Sequence, residues 1–133
     1  MPPYQLIVES AQEGVYTVDT RWRIRYANPS LCQLLGVPGE QLLGRSIFRF
    51  LAQPDRATAL RRWRRPNYAR RPLDLRLQQS NGEWLWVLVT ATPFFDPSRA
   101  WIGTMGVVTD ISELRNLRQK LIEAEAEKKR FSR

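Results

Sequence analysis

The sequence of 133 residues contains no histidine and only one cysteine. Without histidine there is no Ser–His or Cys–His nucleophile, no His-ligated haem, no His-containing zinc site and no imidazole general base. The one thiol, Cys32, cannot form an internal disulfide, and its apolar surroundings in NPSLCQLLG are typical of a buried inert thiol. These shortages remove most hydrolase and metalloenzyme candidates. We predict a protein with no catalytic activity and no bound metal.

Long apolar runs are also missing, because no stretch approaches the roughly 20 residues that a helix needs to cross a bilayer. The first ten residues, MPPYQLIVES, lack the basic, apolar and small-residue regions of a secretory signal. We therefore predict a cytoplasmic location. The hydrophobic fraction of 43%, with five Trp, five Phe and four Tyr, is enough for one folded domain with its own core.

Positive charge is in excess, with 21 Lys and Arg against 13 Asp and Glu and a formal net charge of +8. Seven arginines lie in RATALRRWRRPNYARR, from Arg56 to Arg71, with Trp63 and Tyr68 among them. Arginines interleaved with aromatic residues are typical of single-strand nucleic-acid binding, which is one interpretation of the segment. We favour the simpler interpretation, a solvated basic helix whose Leu60 and Trp63 face the core.

The order of patterns along the chain predicts two strands, several short helices and three more strands. GVYTVDT and RIRYAN form a hairpin, and in NPSLCQLLG a helix capped by Asn28 begins at Pro29 and ends at Gly36. A longer helix begins at Pro54 and runs to about Arg65. The last three strands are RPLDLRLQQ, EWLWVLVTATPFF and AWIGTMGVVTDI. Because there is no regular βαβ alternation, the order indicates an α+β fold with a five-stranded antiparallel sheet.

The fourth strand is apolar on both faces, since Trp84, Trp86 and Leu88 point one way and the residues between them point the other way. A sheet with one wet face would alternate with polar residues, so both faces need a cover. Short helices can cover one face, and an N-terminal helix, a second copy of the chain, or both can cover the other. We predict a parallel homodimer. The predicted interface is apolar and consists of Leu6, Ile7, Trp84, Trp86, Leu114, Leu117 and Leu121.

Near the C-terminus, GVVTDISELRNLRQKL passes from a buried strand to a charged helix without a turn signal. Asp110 and Ser112 can cap the first turn, and Glu113 lies near the positive end of the helix. Apolar residues then recur at alternating spacings of three and four. This heptad pattern, imperfect at Lys128, contains Leu114, Leu117, Leu121, Ala124 and Phe131. It predicts a helix that can form a coiled coil.

Taken in order, these segments resemble a PAS domain, the small sensor module of bacterial signalling proteins. The resemblance covers residues 4–112. It is carried by EGVYTVDTRWRIRYANPSLCQLLG, by LLG leading to FLAQPDR, by GEWLWVLVTATPFFD, and by GTMGVVTDISE, which is similar to the Asp-Ile-Thr signature closing many PAS domains. It implies short helices that enclose a central pocket against the inner face of the sheet. The implied division is an N-terminal helix at 1–12, a PAS domain at 13–111 and a signalling helix at 112–133.

The resemblance implies a sensory and dimerisation module of a larger signal-transduction protein. Its covalently linked output domain would be a two-component histidine kinase, a diguanylate cyclase or phosphodiesterase, or a similar module. The chain ends on EKKRFSR without a helix stop, which agrees with that expectation. The direct junction would transmit strain from the sheet to the helix, whereas a flexible linker would dissipate it. The alternative function is binding of nucleic acid or an anionic surface through the segment from Arg56 to Arg71.

In the family, the acidic residue of the closing signature commonly pairs with a basic residue near the hairpin. The relay residues that this implies are Asp110, Ile111, Ser112, Arg23 and Arg25. If Asp110 instead only caps the helix, its loss should cost about 1 kcal/mol and leave signalling intact.

The implied pocket has an apolar set of candidates: Tyr26, Phe48, Leu51, Leu75, Val87 and Val89. The same set is typical of a filled core, which is the interpretation that we favour. LLGRSIFRFLAQPDRAT resembles the flavin-binding light-sensing branch of the family, which needs a cysteine just after the Gly-Arg pair. Ser46, Ile47 and Phe48 stand there instead, so a flavin-cysteinyl adduct is excluded, as is haem bound by a pocket histidine. A non-covalent flavin, a small metabolite and an empty pocket remain open.

Overall fold

The structure is a computed structural model that describes residues 13–65 and 71–131. The predicted N-terminal helix, with Leu6 and Ile7, lies outside these residues. The elements follow one another in this order: β1 (Gly14–Val18), β2 (Ile24–Ala27), α1 (Pro29–Leu35), α2 (Gly39–Leu42), a 3-10 helix (Ile47–Phe50), α3 (Gln53–Trp63), β3 (Leu73–Gln78), β4 (Trp84–Phe95), β5 (Trp101–Asp110) and α4 (Ser112–Phe131).

The five strands form one antiparallel sheet in the order β2-β1-β5-β4-β3. This confirms the α+β fold predicted from the order of patterns. β5 lies in the centre, where it pairs with β1 on one side and with β4 on the other. The strand that leads into α4 is therefore hydrogen-bonded to both halves of the sheet.

The core lies between the inner face of the sheet and the short helices. Val87 and Ala91 of β4 are fully buried, and Val89 is 2% exposed. Burial of these apolar side chains supplies the main driving force for folding, at about 25 cal/mol per Å² removed from water. The helices and the segment between them contribute the other side of the same cluster: Leu31, Leu35, Leu42, Ile47, Leu51, Ala59 and Trp63.

The first helix begins and ends as its sequence predicts. The Oδ1 atom of the fully buried Asn28 accepts hydrogen bonds from the backbone N–H groups of Leu31, at 3.1 Å, and Val15, at 2.8 Å. Gly36 follows the helix with a φ of 71°, a left-handed conformation that costs glycine little. Asn28 thus caps α1 and also fixes the start of β1 to it.

α3 ends at Trp63, slightly earlier than the predicted end near Arg65. The residue before a proline is disfavoured in the helical conformation, and Pro66 follows Arg65 in the sequence. Trp63 is 4% exposed and belongs to the core, as its place in the basic segment predicts.

Candidate functional site

A small internal cavity lies between the inner face of the sheet and the helices. Its volume is about 10 Å³, which is room for one water molecule at most. The residues that line it are Tyr16, Leu31, Leu35, Ile47, Phe50, Leu51, Trp63, Leu77, Val89 and Val108. A flavin or another metabolite needs a pocket of roughly 300 Å³ or more, so binding here would require core side chains to move.

Two of the residues that line this cavity, Tyr16 and Trp63, carry buried polar groups. Burial raises the pKa of the Tyr16 phenol well above its ordinary value. The indole N–H of Trp63 is buried and has no hydrogen-bond partner among the described residues. A buried donor without an acceptor costs free energy.

The six predicted pocket residues occupy different positions. Leu51 and Val89 line the cavity, while Leu75 and Val87 are buried in the same core cluster. The other two do not line the cavity: Phe48 is half-buried and packs against the core cluster and the rings of Trp22 and Trp63, and Tyr26 lies opposite Thr17 in the β1–β2 ladder. Sequence reasoning missed Tyr16 and most of the helical wall, although the alternation of β1 already placed Tyr16 and Val18 on one face.

Aromatic rings connect the cavity to the start of β5. The ring centroids of Trp63 and Trp22 are 6.2 Å apart, and those of Trp22 and Trp101 are 5.1 Å apart. The Trp101 indole N–H donates to the hydroxyl of the buried Thr104 at 3.1 Å. Trp63 is therefore connected through Trp22 to Trp101, the first residue of the central strand.

The junction between β5 and α4 contains no loop. The backbone N–H of Ile111 donates to the carbonyl of Trp86 at 3.0 Å, and the Ile111 side chain is buried. Oδ1 of Asp110 accepts from the backbone N–H of Ser112 at 2.9 Å, which satisfies a free donor of the first turn. α4 thus begins at Ser112, the residue directly after the one that is hydrogen-bonded to β4.

Arg115 attaches the first turn of α4 to the outer face of the sheet. Its guanidinium lies 3.8 Å from the centroid of the Trp86 ring, and its Nη1 is 3.6 Å from Oδ2 of Asp74 on β3. A cation over a tryptophan face contributes about 0.5–1 kcal/mol at an exposed site. Sequence reasoning missed this contact, because Arg115 occupies a solvent position of the heptad pattern.

The contacts continue from Trp86 to α3. The Arg76 guanidinium lies 5.5 Å from the centroid of Trp86 and binds Asp55 through Nε–Oδ2 and Nη2–Oδ1, both at 3.2 Å. The backbone N–H of Arg76 also donates to Asp55, at 2.9 Å. Although burial raises the pKa of Asp55, the hydrogen bonds and charge of Arg76 bring that pKa below its ordinary value.

The basic residues predicted to act in the relay have other contacts. Arg25 pairs with Asp19, with Nη2 and Oδ2 2.8 Å apart, and Nη1 of Arg23 donates to the carbonyl of Gly44 at 2.9 Å. Among the described residues, the ion pair that attaches α4 to the sheet is that of Arg115 with Asp74.

The rest of α4 extends away from the domain with its apolar stripe exposed. Leu114, Leu117 and Leu121 are 45%, 56% and 60% exposed. Trp84, at the beginning of β4, is 50% exposed. No helix in the described part of the chain is long and apolar enough to span a membrane. Within residues 13–65 and 71–131, no three His, Cys, Asp or Glu side chains are grouped to hold a metal ion.

Comparison with known proteins agrees with this architecture. The family model described as PAS fold matches residues 8–116, so the chain belongs to the PAS family. PAS domains are in general sensory modules without catalytic activity. No curated protein matches the chain.

Three solved structures show the shared fold. A PAS domain from Colwellia psychrerythraea has a TM-score of 0.72 at 16% identity, covering 83% of this chain and 95% of that one. A sensory box histidine kinase/response regulator from Burkholderia thailandensis has a TM-score of 0.70 at 17% identity, covering 98% and 100%. A PAS domain from a two-component sensor histidine kinase has a TM-score of 0.68 at 16% identity, covering 80% and 92%.

Proposed function

We propose that this PAS domain is a dimeric, non-enzymatic sensor module that transmits a change in its core or interface to an output domain through α4. The observation that carries the proposal is the direct junction at Ile111, whose backbone is bonded to β4 while α4 begins at the next residue. A helix attached in this way moves with the sheet. The histidine kinases among the structural relatives support an output domain of the two-component type.

The exposed stripe of α4 supports a parallel coiled coil between two copies. An isolated helix of 20 residues is only marginally stable in water, and exposed leucines at heptad positions gain stability by packing against a partner. The exposed Trp84 and the half-buried Trp86 would extend this interface onto the outer face of the sheet.

Asp110, Ile111 and Ser112 would then act in the relay as the rigid connection. A cytoplasmic location agrees with the single cysteine, since disulfide frameworks belong to oxidising compartments.

Sedimentation equilibrium tests the dimer. We expect the unmodified chain to be dimeric at micromolar concentration, and Leu117→Glu to give monomers. Asn116→Glu is the matched control, because it adds the same carboxylate one residue away, outside the apolar stripe. A monomeric unmodified chain, or equal dissociation of both variants, would contradict the coiled coil.

Hydrogen exchange tests the transmission. Val89→Ala enlarges the cavity, and we expect it to change the exchange of amides in the first turns of α4. The same substitution with two glycines inserted between Ile111 and Ser112 should leave those amides at the rates of the insertion alone. If Val89→Ala changes exchange near the cavity but not in α4, the junction does not transmit the change.

A further inference from the structure

The unbalanced charge of the chain is concentrated on one segment. Seven of the 21 Lys and Arg lie in residues 56–71, which contain no Asp or Glu. The remaining 14 basic residues nearly balance the 13 acidic ones, so this segment accounts for almost all of the net charge of +8. A solvated surface that served only solubility would not need this concentration.

An open groove of about 350 Å³ lies on the same segment. The described residues that line it are Thr58, Arg61, Arg62 and Arg65. Spacings of three and four place these residues on one side of α3 and its C-terminal extension. Ala59 and Trp63, on another side of the helix, are 0% and 4% exposed, so the core fixes which side faces the groove.

The groove arginines have no anionic partner within the described chain. Ion pairs between described residues join Arg25 to Asp19, Arg76 to Asp55, and Arg115 to Asp74, and these pairs do not include the three groove arginines. Asp55, the acidic residue of α3, has both carboxylate oxygens bound by Arg76. The C-terminal end of a helix favours a positive charge, but like charges three and four residues apart repel one another.

The side chains that line this groove are suited to bind a compact polyanion. Its lining provides three guanidinium groups and one hydroxyl, and guanidinium binds phosphate through two parallel hydrogen bonds. The large exposed apolar side chains of the described residues lie elsewhere, on β4, β5, α4 and at Leu43, so this surface does not suit insertion into a membrane. The groove is open to solvent, and its volume near 350 Å³ is room for one small ligand.

We propose that the groove formed by Thr58, Arg61, Arg62 and Arg65 binds a small anion carrying a chain of two or three phosphate groups. Inorganic triphosphate and a nucleoside triphosphate share this chemistry. The guanidinium groups bind the phosphate oxygens, and the bound charge removes the repulsion among the arginines. The site is separate from the internal cavity and from α4, so it does not depend on the function proposed above.

Isothermal titration calorimetry at constant ionic strength tests the site, with inorganic triphosphate, ATP and a single-stranded dT12 oligonucleotide as probes. We compare the unmodified chain with the triple variant Arg61→Gln, Arg62→Gln, Arg65→Gln. The matched control replaces Arg118, Lys120 and Lys129 on α4 by Gln, which removes the same charge from another exposed surface. We expect one triphosphate per chain, with affinity reduced at least about tenfold by the groove variant and nearly unchanged by the control. If ATP binds as tightly as inorganic triphosphate, the site recognises the phosphate chain alone. If ATP binds more tightly, the nucleoside also contributes to binding.

Three results would overturn the proposal: no binding of triphosphate or ATP at millimolar concentration, equal weakening by the groove and control variants, or a preference for dT12 over both small anions. The last result would make the segment a nucleic-acid surface. If the Gln variant does not fold, the corresponding triple Lys variant replaces it, because it keeps the charge but loses the paired hydrogen bonds. Reduced triphosphate affinity in the Lys variant supports the site, and unchanged affinity contradicts it.

Discussion

The two faces of the sheet differ in what covers them. On the inner face of β4, Val87 and Val89 are 0% and 2% exposed beneath the helices of the same chain. On the outer face, Trp86 and Leu88 remain half-buried, and Trp84 is 50% exposed. Within the described residues, the outer face receives the first turn of α4 through Arg115. One face is completed by the chain itself, whereas the other holds the segment that leaves the domain.

The two faces therefore differ in role: the inner face stabilises the fold, and the outer face is better suited to transmit a signal. The inner face contributes through close packing, which is strong and tolerates little change in volume. The outer face contributes through a cation over an aromatic ring and through partly exposed ion pairs, which are individually weak. Weak contacts can be rearranged without unfolding the domain, so a signal is more readily transmitted on the outer face.

Truncation of one leucine on each side is the strongest test of this comparison. Leu75 is 1% exposed within the core, and Leu75→Ala should reduce the free energy of unfolding by about 2–5 kcal/mol. Leu88→Ala removes the same atoms from the half-buried outer face and should cost roughly 1 kcal/mol or less. Urea unfolding measures both. Equal losses would mean that the two faces contribute alike.

Acidification tests the link between α3 and the edge of the sheet. The pKa of Asp55 is below its ordinary value in the folded chain, so its interaction with Arg76 stabilises the fold above about pH 4 and is lost as the pH falls through the folded pKa. We expect Asp55→Asn to cost roughly 1–2 kcal/mol at pH 7 and to flatten part of the acid dependence.

Unfolding at pH 7 and pH 3 provides the measurement for Asp55. The variant should lose less stability between the two values than the unmodified chain does. Asp19 and Asp96 also have lowered pKa values, so some acid dependence should remain in the variant. An unchanged acid dependence would show that the Asp55–Arg76 pair does not couple folding to pH.

Much of the fold was predictable because its signals are local. The cap at Asn28, the stop at Gly36 and the two-sided apolar pattern of β4 each occupy a few consecutive residues. The contacts around Arg115 were not predictable, because Trp86 and Asp74 are distant in sequence and meet it only through the pairing of β3 and β4. Likewise, apolar character indicated a core but could not predict which residues leave a cavity beside Trp63.

Substitutions of Asp110 test whether the junction between β5 and α4 also depends on the β1–β2 hairpin. Asp110→Ala should cost about 1 kcal/mol through loss of the hydrogen bond to Ser112, and Asp110→Asn should be nearly neutral, because Asn caps as well as Asp. Since Arg23 and Arg25 have other partners, we expect their substitutions to be additive with Asp110→Ala. An interaction energy clearly above about 0.5 kcal/mol with either arginine would place the hairpin in the relay.

The smallest expected effect is the coupling between Arg115 and Trp86, and it tests most directly whether the outer face holds α4. The guanidinium lies 3.8 Å from the ring centroid. A cation–π interaction at this distance contributes about 0.5–1 kcal/mol to stability, and it is lost when either side chain is replaced. A double-mutant cycle of Arg115→Gln and Trp86→Leu should give an interaction energy in this range. The corresponding cycle with Arg118→Gln should be additive, because Arg118 is exposed further along α4. Hydrogen exchange of the first turn should increase in Arg115→Gln while the amides of β1 keep their protection. Additive energies for Arg115 and Trp86, together with unchanged exchange in that turn, would mean that α4 is held by the backbone bond of Ile111 alone, and that the outer face does not take part in transmission.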